Sequence, residues 1–190
     1  MQFKKIVTIS LNPALDITLS VDGLIPEKIN SVLNQQIDAA GKAVNIAKLL
    51  HSFGIDPHLI TFAGTENSEK YFKHLRAAAS TLEYEMLLVD GAIRENLHIV
   101  LPDESLVTVR QNGFTVSPKD ISDITKKISN HFAEDTLFII SGRFPDGFSS
   151  GDFRSLCKSL LSELVFFLVS TCKSSHKKSK ACINESLPDT

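Results

Sequence analysis

The sequence predicts an α/β protein: a mainly parallel, Rossmann-like sheet flanked by helices, with a small accessory β sheet beside it. Three observations predict it. Short apolar or β-branched runs, Ile6–Ile9, His58–Phe62, Thr136–Ile140 and Val165–Val169, have the length of buried strands. Between them lie segments with apolar residues at helical spacing, such as Val44, Ala47 and Leu50. Stretches near residues 15–37 and 84–110 instead alternate apolar with polar, as half-exposed strands do.

In chain order, Ile6–Ile9 closes at the turn signal Asn12-Pro13. Leu15–Val21 sets Ile17, Leu19 and Val21 against Thr18 and Ser20, and Ser31–Ile37 is a second polar strand. The period changes at Gly41, where a small-residue turn enters a helix that Gly54 stops. After His58–Phe62, Asn67–Ala79 reads as a helix, capped by Asn67 or Ser68, with Tyr71, Phe72 and Leu75 inward. Tyr84–Val89, Asn96–Leu101 and Leu106–Arg110 follow as strands separated by turns, and the accessory sheet is expected to hold all three. Ser117 is placed to cap a helix whose first position is Pro118. Thr136–Ile140 and a helix through Phe153, Leu156, Leu160 and Leu161 lead to the last strand. Residues 171–190, rich in Lys, Ser and His, show no apolar face and are expected to be a disordered tail.

At 190 residues the chain suits one domain, and a net charge of −2 offers no footprint for nucleic acid or an anionic membrane. No run approaches the roughly 20 apolar residues of a membrane span, and the N-terminus lacks a signal-peptide core, so a cytoplasmic location is expected. Cys157, Cys172 and Cys182 fit neither a disulfide framework nor the spacing of a metal site and read as incidental thiols.

Three constellations carry candidate chemistry. In Leu11-Asn12-Pro13-Ala14-Leu15-Asp16, a carboxylate follows the end of a parallel-type strand, where open α/β sheets bind ligands; a turn Asp bonding its own backbone is the alternative. In Asp38-Ala39-Ala40-Gly41-Lys42-Ala43-Val44-Asn45, a helix start presents free N–H groups to a phosphate or hydroxyl, with Lys42 and Asn45 three apart; an ordinary helix start with a solvated lysine is the alternative. It is no Walker loop, since the first glycine and the Ser/Thr of that motif are missing. In Ile139-Ile140-Ser141-Gly142-Arg143-Phe144-Pro145, Ser141 lacks a nucleophile elbow, so a hydrogen-bonding role fits it better.

In this order the segments resemble the phosphofructokinase B branch of the ribokinase-like carbohydrate kinases, over about residues 5–169. Thr8 to Asp16 is similar to the branch's opening strand and turn. Ala40-Gly41-Lys42-Ala43-Val44-Asn45-Ile46-Ala47 resembles its Gly-Gly-Lys-Gly-x-Asn-x-Ala motif, and Ser141-Gly142-Arg143-Phe144-Pro145 its Ser-Gly-x-x-Pro turn. The resemblance implies a ribokinase-like domain over 1–170, C-terminally truncated, with a β lid. It implies that Asp16, Gly41 and Asn45 hold sugar hydroxyls, that Arg94 and Lys28 reach the sugar's phosphate, and that Ser141 and Lys42 contact substrate. The implied reaction is ATP- and Mg2+-dependent phosphorylation of a ketohexose phosphate, fructose 1-phosphate first. Tagatose 6-phosphate, or a non-catalytic sugar-phosphate-binding remnant, is the alternative. A homodimer through the lid is implied, and no nucleic-acid or membrane partner.

The chain departs from the pattern in places. Ala40 and Ala43 stand where glycine is common, Ser31 where an arginine often follows Asn30, and Ser170 where aspartate is common. No glycine occurs from Asp152 to Thr190, so nothing matches the family's Gly-Ala-Gly-Asp anion hole and base. The adenine-binding region and the Asn-x-x-Glu motif have no counterpart either. The expectation is a chain without the catalytic base.

Overall fold

The computed structural model describes residues 3–133, 135–160 and 166–170, with the backbone alone at 160 and 166–170. The elements run β1 (Lys5–Ser10), β2 (Ala14–Val21), β3 (Val32–Ala40), α1 (Lys42–Ser52), β4 (His58–Gly64), α2 (Ser68–Ala78) and β5 (Tyr84–Val89). They continue with β6 (Arg94–Val100), β7 (Leu106–Arg110), α3 (Pro118–Ser129), β8 (Thr136–Ser141), α4 (Ser150–Leu160) and β9 (Phe166–Ser170). Val165, Leu161 and the expected tail lie outside the described residues.

Five strands form a wholly parallel sheet in the order β5-β4-β1-β8-β9. The crossovers that parallel pairing demands are the helices, and they bury its faces. Val7 and Ile9 of β1, Leu59 and Ile60 of β4, and Phe138 of β8 are fully buried, with Val44 and Ala47 of α1 and Ile124 and Ile128 of α3 packed in the same core. A second sheet has the order β3-β2-β6-β7, in which β2 and β6 run parallel and the outer pairs antiparallel.

Two expectations need correction. Tyr84–Val89 is not part of the accessory sheet; β5 is an edge of the parallel one. Its mixed composition has a physical cause, because consecutive residues serve opposite helical layers. The Tyr84 ring stacks on Phe72 of α2 at 4.7 Å, while the Glu85 carboxylate accepts from Lys127 Nζ of α3 at 2.8 Å. The second correction is at Asp38-Ala39-Ala40, which belongs to β3 rather than to a turn. The strand runs to Ala40 and the helix begins at Lys42, so Gly41 alone makes the corner. It does so at φ +129°, and a Cβ there would stand 3.2 Å from Pro13 Cα and from Ser10 Oγ.

Ser117 caps α3 as its sequence implies: Ser117 Oγ accepts from Asp120 N at 3.3 Å, and Asp120 Oδ2 accepts from Ser117 N at 2.8 Å. Asn67 behaves otherwise. It stands at the N-cap of α2, but its side chain is spent on the Ile93 backbone, accepting from Ile93 N at 2.8 Å and donating to Ile93 O at 2.9 Å. That clamp fixes the entry to β6, whose first residue is Arg94.

Candidate functional site

Side chains directly opposite in paired strands share one face, so the registers of the second sheet determine what stands side by side. One row reads Asp38, Asp16, Asn96, Arg110 across β3, β2, β6 and β7. The next, one pleat further out, reads Gln36, Thr18, His98, Thr108; the one before it reads Ala40, Ala14, Arg94. This polar face turns toward the start of α1. Between them lies a cleft of about 420 Å3 whose lining includes Asp16, Asp38, His98 and Leu106 from the sheet and Asn45 and Lys48 from α1.

The carboxylates are held without being used up. Asp16 Oδ1 accepts from Asn96 Nδ2 at 2.6 Å and lies 3.9 Å from His98 Nε2, and Asp38 Oδ2 accepts from Gln36 Nε2 at 2.8 Å. Like charges facing each other across a strand pair are destabilising. Lys48 answers them: its ammonium, donating to Ala39 O at 2.7 Å, feels the charge of both Asp38 and Asp16, although burial outweighs them and lowers its pKa.

Arg94 is the underused group of the site. Its guanidinium, which carries five donors, makes only two long contacts, to Asn96 Oδ1 at 3.4 Å and Asn12 O at 3.5 Å. Its Nε is buried without a partner. Burial first, then the positive charges of Arg143 and Arg110, lower its pKa, with Asp16 opposing. Arg94 thus feels the charge of two further arginines, from β7 and from the loop after β8. Asn12 Nδ2, donating to Phe144 O at 3.0 Å, ties the β1–β2 turn to that loop.

Of the residues singled out in the sequence, Asp16 and Asn45 line the cleft, while Arg94 stands outside its lining and is linked to it by Asn96, which accepts from Arg94 and donates to Asp16. Gly41 forms the corner that aims α1, and Asn45 N donates back to Gly41 O at 2.8 Å in its first turn. Lys42 is exposed, on the side of α1 near Gly142. Ser141 is buried at the end of β8, beside a separate small cavity with Leu11, Gly142 and Phe153. Lys28 is not brought to the others. It sits in an exposed turn between β2 and β3, beyond Val21, which is itself about 16 Å of strand from Asp16.

Asn96, His98, Lys48, Asp38, Arg110 and Arg143 went unassigned in the sequence. The signal for the first two was present: Arg94, Asn96 and His98 alternate in one strand and must share a face. Arg110 and Asp38 reach the same face only through pairing registers.

A parallel α/β sheet joined to a four-stranded β lid, with a polar cleft between lid and first helix, is the ribokinase-like architecture. The chain belongs to the pfkB family of carbohydrate kinases, whose pattern matches residues 4–188. It is 30% identical over 146 residues to the 1-phosphofructokinase of Vibrio cholerae, covering 77% of this chain and 45% of that protein. Identity to the tagatose-6-phosphate kinase of Staphylococcus epidermidis is 22% over 153 residues, covering 80% and 48%. The fold is similar to the crystal structure of Escherichia coli phosphofructokinase-2 in complex with fructose-6-phosphate, with a TM-score of 0.80 at 16% identity, covering 89% of this chain and 55% of that one. The chain therefore spans about half the length of the relatives it matches.

Proposed function

We propose that this chain supplies the sugar-phosphate side of a pfkB kinase site, and that its ligand is a phosphorylated ketohexose, fructose 1-phosphate first. The observation that carries the reading is that two unlike regions stand on neighbouring rows of the lid's polar face, one lining the cleft and one beside it. Asp16 and Asn45 of the cleft offer a carboxylate and an amide to sugar hydroxyls, and Arg94 and Arg110 on adjacent lid rows, with Arg143 acting on Arg94, offer a surplus of positive charge to a dianion. The 30% identity to a 1-phosphofructokinase, against 22% to a tagatose-6-phosphate kinase, favours fructose 1-phosphate. Gly41 lets the corner before α1 come close to the sugar, while contact from Lys42 and Ser141, which lie outside the cleft lining, would need a ligand that extends toward the loop after β8. Lys28 serves the phosphate only in a homodimer through the lid, a partner that the exposed Leu33 and Val109 on the lid suit.

In the complete reaction a substrate hydroxyl, giving its proton to a base, would take the γ-phosphoryl group of ATP as its bond to ADP breaks, and Mg2+ would balance the phosphate charge. The cleft residues do not fit that metal. Asp16 and Asp38, the only carboxylates in the cleft lining, face the Lys48 ammonium in the same lining, so a dication would meet a resident cation. ATP, Mg2+ and the base are accordingly left outside this chain's assigned role. What its own residues do is bind, orient and neutralise. No helix of the described residues is long and apolar enough to cross a membrane, and a cytoplasmic site of action accords with a metabolite ligand.

The test is thermal unfolding of the purified chain with fructose 1-phosphate, tagatose 6-phosphate and unphosphorylated fructose, beside a coupled ADP-release assay. Stabilisation by fructose 1-phosphate above the other two is expected, without turnover. Preference for tagatose 6-phosphate would reassign the substrate, stabilisation by no phosphorylated ketohexose would overturn the binding role, and turnover would show that the catalytic groups are within this chain.

A further inference from the structure

At the opposite end of the parallel strands from the cleft, three side chains that the kinase reading leaves unused converge. His58 is the first residue of β4, Glu85 the second of β5, and His131 lies two residues past α3. His58 Nε2 and His131 Nε2 approach the same carboxylate oxygen, Glu85 Oε1, at 3.1 and 2.6 Å. The imidazoles lie face against face, centroids 4.4 Å apart and tilted by 33°. All three donor atoms fall within 4.8 Å of one another. The two histidine side chains are 17% and 11% exposed, which leaves this a recessed site with a solvent path rather than a surface accident.

We propose that His58, Glu85 and His131 form a binding site for a divalent transition metal, zinc by preference, with water in the fourth position. Two imidazole nitrogens and one carboxylate oxygen are a borderline donor set that zinc accepts tetrahedrally. Zinc at about 2.0–2.2 Å from each donor would hold them about 3.3–3.5 Å apart. Reaching that spacing needs Glu85 to draw back from His131 by less than about 1 Å and the two stacked imidazoles to open so that both point at the ion. The surrounding groups are arranged as an outer shell would be. Lys127 Nζ donates to Glu85 Oε2 at 2.8 Å, which fixes that carboxylate by one oxygen and leaves the other for the metal. Glu83 Oε2 lies 3.5 Å from His58 Nδ1, the nitrogen that carries the proton once Nε2 is metallated. His131 Nδ1 is buried without a partner. It is an orphan acceptor in one tautomer and an orphan donor in the other, so metallation creates no new unpaired group. The three ligands are 27 and 46 residues apart, which is why no motif in the sequence reveals them. The bound ion would cross-link β4, β5 and the end of α3.

The test uses the full chain stripped with a chelator and titrated with zinc by calorimetry, with cobalt absorption in the visible as a report on tetrahedral nitrogen–oxygen coordination. One ion per chain and a raised melting temperature are expected. His58→Gln and His131→Gln should each weaken binding by about 10–100-fold. Their metal-free melting curves and their response to fructose 1-phosphate should match the parent's, which separates this outcome from that of the sugar-phosphate role. Since Cys172, His176 and Cys182 could also take up zinc, a Cys172→Ser, Cys182→Ser double variant is the control and should bind as the parent does. No uptake at sub-millimolar zinc would overturn the proposal, as would uptake kept by both histidine variants or lost with the cysteines.

Discussion

Arg94 stands one lid row from Asp16 with most of its donors idle, and that sets the sharpest residue-scale expectation. Arg94→Gln keeps an amide but removes the charge. If the guanidinium meets a phosphate, the change should cost about 1.5–3 kcal/mol of sugar-phosphate affinity, roughly 10–100-fold in Kd, by calorimetry with fructose 1-phosphate. The fold should survive, because burying an unpaired arginine Nε brings no stability. Asp16→Asn makes the complementary case. It relieves the opposition of Asp16 and Asp38, so the melting temperature should hold or rise while affinity for the sugar falls. A fall in both would mean that Asp16 serves the fold instead. At this scale two of the motif residues, Asp16 and Asn45, do line the cleft, whereas Lys42 and Ser141, from the same kind of motif, do not. The sequence was silent on Arg110 and Asp38, because their place in the row depends on which strand pairs with which, and at what register.

Elements were legible when their own periodicity decided them. The α3 cap is an example, since Ser117, Pro118 and Asp120 are local chemistry, and Ser117→Ala should cost about 1 kcal/mol in urea unfolding. β5 was misassigned because its pattern reflects two different helices rather than solvent on one side. Asn67 shows the same limit: a good capping residue was taken by a tertiary partner, Ile93. The end of β4 shows how tightly that corner is built. A Cβ on Gly64 would stand 2.5 Å from Gly91 O and 2.6 Å from the Ile93 nitrogen. Gly64→Ala should therefore push the loop that delivers Arg94, lowering stability by about 1–3 kcal/mol and weakening sugar-phosphate binding with it. A melting temperature unchanged by that substitution would mean that the loop yields freely.

For the whole molecule, the two sheets are joined so that the polar face cannot be assembled locally. Asp16 and Asn96, bonded at 2.6 Å, are 80 residues apart, and the parallel pairing of β2 with β6 spans the β3–α1–β4–α2–β5 segment between them. Large apolar substitution acts on the frame itself: Phe62→Ala, removing a fully buried ring of β4, should cost about 3–5 kcal/mol by chemical denaturation. The β2–β6 seam has a kinetic consequence of another kind. Closing so long a loop costs entropy before its contacts repay it, so the seam is expected to form after the folding transition state. A sugar phosphate grips only the closed seam. It should slow unwinding of the native chain in stopped-flow experiments and leave the rate of its return from denaturant unaltered.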